Sequence, residues 1–422
     1  MLDIKFLRQN SSLMEEVLKE RNYEFDWKKF LELDDERRDF LKKIEELRSK
    51  KNRFNQEIKV LLNKKEDISY YLEESRKVSQ QIDEMEKKLK SVEKEFKKQW
   101  LKIPNIFHPS VPVGDASANR VIREKRNIRN FSFKPLTHIE LGEHLDIFSF
   151  SQAAKLCGSN FVLFKNDGAL LIRALINFML DVHCQRGYKE IFPPFLVNRN
   201  SMLTTGQLPN LEEDMYQLKN EDYFLIPTAE VPVTNIHQEE ILKEEDLPIY
   251  YVSYTACFRR EAGSYGKETR GLVRVHQFDK VELVKFVRPS SSYEELEKLV
   301  NDASCILELL ELPYRVVLLS TQELSFAASK CYDLEVYAPG IERWLEVSSC
   351  SNFEDFQARR GNIRYREKKS GKLRYVHTLN GSGLALPRLI VALLENYQNS
   401  DGSVTIPQVL RKYMQEKEKL EK

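Results

Sequence analysis

Two short stretches bring together residue types suited to handling anions and small polar ligands. In Phe258-Arg259-Arg260-Glu261-Ala262-Gly263, Arg259 and Glu261 are two apart and would share a face at the end of a strand. Alone, such a pair is an ordinary surface salt bridge. The following stretch, Arg274-Val275-His276-Gln277-Phe278-Asp279-Lys280-Val281-Glu282, changes its meaning. A period of two puts Arg274, His276, Phe278 and Glu282 on one face and Val275, Val281 and Leu283 on the other. An apolar back and a polar front make a platform in an antiparallel sheet. Phe278 and Glu282 would stand about 13 Å apart at ~3.3 Å per residue, room for an aromatic base at one end and a small polar ligand at the other.

Several other chemistries are excluded. The chain has no G-x-x-x-x-G-K-[ST] loop, no H-E-x-x-H and no G-x-S-x-G. Cys157, Cys184, Cys257, Cys305, Cys331 and Cys350 form no C-x-x-C pair, which argues against structural zinc and fits reduced thiols of a cytoplasmic protein. The 66 basic and 65 acidic residues leave a net charge of +1, so any nucleic-acid binding must use a local patch. No apolar run is long enough to span a membrane, and the start Met1-Leu2-Asp3-Ile4-Lys5-Phe6 is not that of a signal peptide.

The elements that must position these residues fall into three parts: residues 1–103, 104–134 and 135–422. The first proline is Pro104 and the first glycine Gly114. A hundred residues without either breaker are no loop-rich domain. After a helical lead-in with Leu13, Val17 and Leu18 as candidate buried positions, Leu33, Phe40, Ile44, Leu47, Phe54, Ile58 and Leu61 follow heptad spacing. Val78, Ile82, Met85, Leu89, Val92 and Phe96 repeat it after a polar break. The spacing predicts an antiparallel helical hairpin over about 27–99, each helix reaching roughly 50 Å at 1.5 Å per residue. Its seam is packing. Its outer face carries nine bases between Lys42 and Lys65 (Lys42, Lys43, Arg48, Lys50, Lys51, Arg53, Lys59, Lys64, Lys65) against Glu45, Glu46 and Glu57. Such a patch could meet phosphates. Residues 104–134 read as a linker. Beyond 135, long strands at 250–258 and 272–286, shorter ones at 162–164, 314–319, 333–337 and 344–347, and helices at 169–185, 291–310 and 384–397 give an α+β domain with an antiparallel sheet and flanking helices.

With Thr205-Gly206-Gln207-Leu208-Pro209, Thr228-Ala229-Glu230-Val231-Pro232, Glu346-Val347-Ser348-Ser349-Cys350-Ser351-Asn352 and Asn380-Gly381-Ser382-Gly383-Leu384-Ala385 added in order, the chain resembles the seryl-tRNA synthetases of the common bacterial type, class II aminoacyl-tRNA synthetases. The resemblance covers essentially the whole chain. It implies a six- or seven-stranded antiparallel sheet carrying three class motifs, at Gly187–Pro194 with the preceding helix, Tyr254–Phe286 and Asn380–Arg388. The first implies a homodimer.

The implied reaction is activation of L-serine by ATP to seryl-adenylate, then transfer to serine tRNA, which the arm would hold. Selenocysteine tRNA is left open as a second substrate. Arg259 matches the arginine on the α-phosphate and substrate carboxylate, and Arg388 the one on the γ-phosphate side. Glu261 and Phe278 match the adenine-binding pair, and Val275 a backbone contact to the nucleotide. Arg260, Val347 and Ser348 complete the ATP set. Glu346 and Ser349 match ligands of an ATP-linked Mg²⁺. Strict alternation would put those two on opposite faces, so the strand must end or bulge there. Thr228, Ala229, Glu230, Glu282 and Ser382 match the serine pocket.

One departure stands out. Gln322-Glu323-Leu324-Ser325 occupies a Gly-Asp-x-Gly position, which puts the local turn in question. The competing reading is a class II-like ligase that loads an amino acid onto a carrier other than tRNA, but such relatives lack the long hairpin.

Overall fold

The computed structural model describes residues 1–126, 128–262 and 271–422. Gly263, the last residue of the Arg259 motif, and residues 264–270 lie outside the described residues. The chain divides into two compact units, Leu2–Ile103 and Pro104–Lys422.

The first unit is the hairpin, with α1 at Trp27–Lys64 and α2 at Ser69–Trp100. Asp26 caps α1 by accepting from the Lys29 N–H, and Lys65 ends it in the left-handed region at φ 57°. Asp67 then caps the return, accepting from the Ser69 N–H at 2.9 Å. Every seam residue is buried or half-buried while most of its neighbours are exposed. Phe30 stacks on Phe96 at 5.3 Å, closing the base of the hairpin. In the lead-in Val17 and Leu18 are buried, but Leu13 is exposed and Met14 takes the inward position. Eight of the nine bases are exposed; Lys51 is half-buried in the seam.

The second unit is built on an eight-stranded sheet. In chain order its elements are β1 (Arg120–Lys125), α3 (His138–His144), α4 (Asn166–Gln185), β2 (Lys189–Glu190), β3 (Ile249–Phe258) and β4 (Gln277–Val287). There follow α5 (Ser292–Leu309), β5 (Tyr314–Leu318), β6 (Lys330–Ala338), β7 (Arg343–Asn352), β8 (His377–Ala385) and α6 (Leu386–Tyr397). The strand order is β1-β5-β6-β7-β8-β4-β3-β2. All pairs are antiparallel except the short parallel edge pair β2–β3. Leu171, Leu175 and Met179 of α4, Leu299 and Ile306 of α5, and Leu389 and Leu393 of α6 are buried with Val281, Leu283, Leu334 and Leu379 in one core. The helices thus cover one face, and the other face is left for chemistry.

Four expectations are corrected. The stretch read as a linker packs on this unit: β1 pairs with β5, and Asn105 Nδ2 donates to the carbonyls of Ala327 and Phe353, both at 2.9 Å. With β1, and with β2 at the opposite edge, the sheet has eight strands instead of six or seven. The strand expected from Leu272 begins only at Gln277. The helix expected from Leu384 starts at Leu386, after the strand that carries Asn380-Gly381-Ser382. The Gln322–Ser325 departure is accommodated. None of its four residues has a positive φ, so glycine is not required, and the Glu323 and Leu324 N–H groups close the turn on the Ser320 carbonyl.

Candidate active site

A cavity of about 590 Å³ opens on the uncovered face of the sheet. It gathers residues from β4, β7 and β8, from the turn after β3 and from the first turn of α6, with Thr228 and Glu230 from the segment before β3.

One part is small and dry. Glu282 is buried on β4, with Ser382 opposite it on β8. Thr228 Oγ1 donates to Glu282 Oε2 at 3.2 Å. Lys280 Nζ lies 2.5 Å from Glu282 Oε2 and donates to Thr228 Oγ1 at 2.8 Å. Glu230 accepts from Gln357 Nε2 at 2.6 Å and from Gln207 Nε2 at 3.4 Å. Burial, reinforced by the charge of Glu282, pushes the Glu230 carboxyl up to about 7, against the pull of Gln357, Lys280 and Asn380. Two carboxylates and one ammonium converge here, a setting that suits a small cationic ligand with a hydroxyl.

The other part is rich in arginine. Arg259 follows the end of β3, its Nε donating to the Pro227 carbonyl at 3.3 Å and its guanidinium 5.3 Å from the Phe278 ring centre. Glu261 takes a left-handed φ of 52° and accepts from Arg274 at 2.8 Å. Both Arg259 and Glu261 line the cavity, but the turn after β3 places them there, not alternation along a strand. Arg388, from the first turn of α6, donates to the Val273 carbonyl at 3.2 Å and the Glu346 carbonyl at 2.8 Å. Its guanidinium is 3.4 Å from the Glu346 carboxylate. Planar guanidiniums held this way can take phosphate oxygens in pairs.

The bulge expected on the strand of Glu346 is present. Leu334 pairs with Ser348 and Glu335 with Glu346, so Val347 is the extra residue and both Glu346 and Ser349 reach the cavity. Asp333 is paired with Ser349 on the neighbouring strand. Burial and the Glu346 charge hold its carboxyl well above the usual carboxylate range. A second bulge falls at Gly383, between Ser382 and Leu384, where a Cβ would stand 2.6 Å from His183 Nε2. Only glycine permits that approach of β8 to α4.

Of the residues singled out from the sequence, Arg259, Arg388, Glu261, Phe278, Glu346, Val347 and Ser349 line the cavity, as do Thr228, Glu230, Glu282 and Ser382. Val275 lines it too, contrary to its expected place on the apolar back, because it precedes β4 and escapes the alternation. Three do not line it. Arg260 is exposed, with its backbone N–H on the Asp214 carbonyl at 2.9 Å. Ala229 is buried in an apolar cluster with Val284 and Phe286. Ser348 points behind the site and donates to the Ser382 carbonyl at 2.7 Å. Lys280 was missed, although it shares the period of Phe278 and Glu282. Gln357 carries no local signal, since it comes from a short helix far along the chain.

Comparison with known proteins agrees with this architecture. Residues 214–397 match the model of the tRNA synthetase class II core domain (G, H, P, S and T), and residues 1–107 that of the seryl-tRNA synthetase N-terminal domain. The chain is 54% identical to a serine–tRNA ligase of Thermodesulfovibrio yellowstonii, covering 98% of this chain and 99% of that one. It is 52% identical to one of Syntrophomonas wolfei, covering 100% and 99%. A crystal structure of seryl-tRNA synthetase from Pyrococcus horikoshii complexed with ATP superposes with a TM-score of 0.92 at 39% identity, covering 100% of this chain and 99% of that one. The chain belongs to the seryl-tRNA synthetase family of class II aminoacyl-tRNA synthetases.

Proposed function

We infer that this chain activates L-serine with ATP and transfers the seryl group to serine tRNA. The observation that carries the reading is one cavity in which a buried carboxylate pocket adjoins an arginine cradle. In the pocket, Glu230 takes the α-ammonium of serine and Glu282, with Thr228 and Ser382, takes its hydroxyl. Arg259 holds the serine carboxylate and the α-phosphate, while Phe278 and Glu261 hold adenine and Arg388 the γ-phosphate. A serine carboxylate oxygen attacks the α-phosphorus, the bond to the bridging oxygen breaks, and pyrophosphate leaves. The attacking carboxylate is already ionised near neutral pH, so this step needs no general base. Rate comes from alignment and from guanidiniums aimed at charge growing on the phosphate. In the second step the terminal ribose hydroxyl of the tRNA attacks the acyl carbon, loses its proton, and AMP leaves.

Glu346 and Ser349 present hard oxygen donors to the cavity, and among the described residues no group of three or more His, Cys, Asp or Glu is placed to hold a metal alone. Two donors fit a Mg²⁺ brought in on ATP, which Glu346 and Ser349 would hold. It supplies neutralisation of phosphate charge. The arm, with its exposed bases, receives serine tRNA; the carrier-ligase reading has no use for it. The α4 helix and the Gly187–Pro194 segment form a homodimer interface, so light scattering should give about twice the 49.7 kDa chain mass. The six free cysteines accord with a cytoplasmic enzyme.

Pyrophosphate exchange with each amino acid in turn, beside charging of total tRNA with labelled serine, tests the reading. Serine alone should support fast exchange. Deletion of residues 28–99 should leave that exchange within about threefold and abolish charging, because phosphate contacts supply most nucleic-acid affinity. Equal loss of both activities would rule out this division of labour.

A further inference from the structure

We propose that His138 is a positioning residue for the nucleotide, acting through the limb Leu272–Val275 and held in its role by Glu395. The inference rests on the reading that the cavity binds ATP. Neither His138 nor Glu395 lines the cavity, and both are fully buried.

Glu395 sits on α6, the helix that also carries Arg388. Its Oε1 accepts from the His138 backbone N–H at 2.9 Å and lies 2.9 Å from His138 Nδ1. Its Oε2 accepts from the N–H groups of Gly340 at 2.8 Å and Ile341 at 3.1 Å. A carboxylate so surrounded is fixed in orientation. On the far side of the imidazole, the Leu272 N–H donates to His138 Nε2 at 3.2 Å. A backbone N–H can only donate, so Nε2 must present its lone pair and Nδ1 must carry the proton toward Glu395. The partners therefore select one tautomer of a carboxylate–imidazole–amide relay.

Its product is the placement of a backbone. Leu272 is fully buried, and among the described residues no other partner takes its N–H. Gly271, at φ +75°, precedes it, and a Cβ there would stand 2.1 Å from His138 Nε2. The chain can come this close to the ring only as glycine. The three residues after Leu272 all line the cavity. The Val273 carbonyl orients Arg388, Arg274 grips Glu261, and Val275 forms wall. Releasing the Leu272 amide lets this limb shift, and three nucleotide-facing contacts move with it.

The test is ATP affinity, measured with Mg²⁺ by calorimetry on the full chain, together with the serine and ATP KM values in pyrophosphate exchange. His138→Asn keeps a donor near Nδ1 but has no acceptor at Nε2. His138→Gln puts an acceptor near Nε2. A buried amide left unpaired is costly, so His138→Asn should weaken ATP binding about tenfold with serine KM within about twofold, and His138→Gln should recover most of the loss. Unchanged ATP affinity in His138→Asn overturns the proposal. So does equal loss of ATP and serine affinity in both variants, which marks a merely structural residue. Should His138→Asn fail to fold, hydrogen exchange on the unaltered chain decides. The Leu272 amide should be strongly protected without ATP, and exchange at free-peptide rates would overturn the relay. An unaltered chain that binds ATP but shows no serine-dependent exchange would instead overturn the assignment of serine, leaving the relay to stand or fall on the ATP affinities.

Discussion

The two halves of the cavity follow opposite electrostatic plans. In the half assigned to serine, the side chains of Lys280 and Glu282 are 8% and 2% exposed, and their hydrogen bonds run to each other and to Thr228. In the half assigned to ATP, Arg388 and Glu346 are 25% and 46% exposed. Their ion pair can open when phosphate replaces the carboxylate. The difference is one between discrimination and capture. A dry pocket penalises a ligand that leaves any of its polar groups unpaired. A wet cradle of guanidiniums attracts any polyphosphate and leaves selection to shape.

The sharpest way to break the comparison is to blunt the dry half. Glu282→Gln keeps the shape but weakens the acceptor and strands the Lys280 charge. Serine activation should fall about 10³-fold and the serine-over-alanine ratio should shrink, with ATP affinity little changed. If that ratio stayed intact, Thr228 or Ser382 would be the hydroxyl reader. Lys280→Met is the complementary cut. It leaves the Glu282 carboxylate buried without its cation, and breaking a buried pair costs about 3–5 kcal/mol. Serine kcat/KM should drop about 100-fold, while the double variant should recover part of the loss. Simple additivity of the two losses would show that the residues act independently.

The sequence made the wet half more legible than the dry one. Arg259, Glu261, Phe278 and Arg388 stand in recognisable motifs, and Glu346 with Ser349 even demanded the bulge found at Val347. Lys280 was passed over because a lysine on a strand reads as a solvated edge until the strand proves central. Val275 was assigned to the wrong face because alternation was extended into chain that is not yet strand. The edge strand Arg120–Lys125 is exposed along its whole length, so it shows none of the alternation that betrays a half-buried strand. The Glu395–His138–Leu272 relay joins residues more than a hundred positions apart, and nothing local signals it.

The wet half should respond differently. Arg388→Lys retains charge but loses the paired donors that now reach Val273 and Glu346. ATP KM should rise about 30-fold and serine KM by less than threefold. Raising salt from about 50 to about 500 mM should weaken ATP more than serine, since screening acts on exposed charge first. Equal salt sensitivity of the two substrates would erase the contrast.

The smallest effect is set by Glu230, whose carboxyl titrates at about 7 in the empty pocket. In the unfolded chain it titrates at its ordinary value near ~4.3. Between those values the folded protein keeps a proton that the unfolded chain has lost, so this group favours the fold at low pH. That contribution fades as pH rises from about 4.3 through 7, a loss of about 4 kcal/mol once Glu230 is ionised. The ammonium of serine reverses the balance, because it binds the carboxylate and not the acid. Serine affinity should therefore be about tenfold weaker at pH 6 than at pH 8, with proton release on binding at the lower pH. Thermal stabilisation by a fixed excess of serine should be larger at pH 8, where the ionised carboxylate binds it more tightly. Glu230→Gln should bind serine weakly at both values and lose the slope. A serine affinity flat between pH 6 and 8 in the unaltered protein would mean that Glu230 is ionised before the ligand arrives, and the dry half would then hold its charge through Lys280 alone.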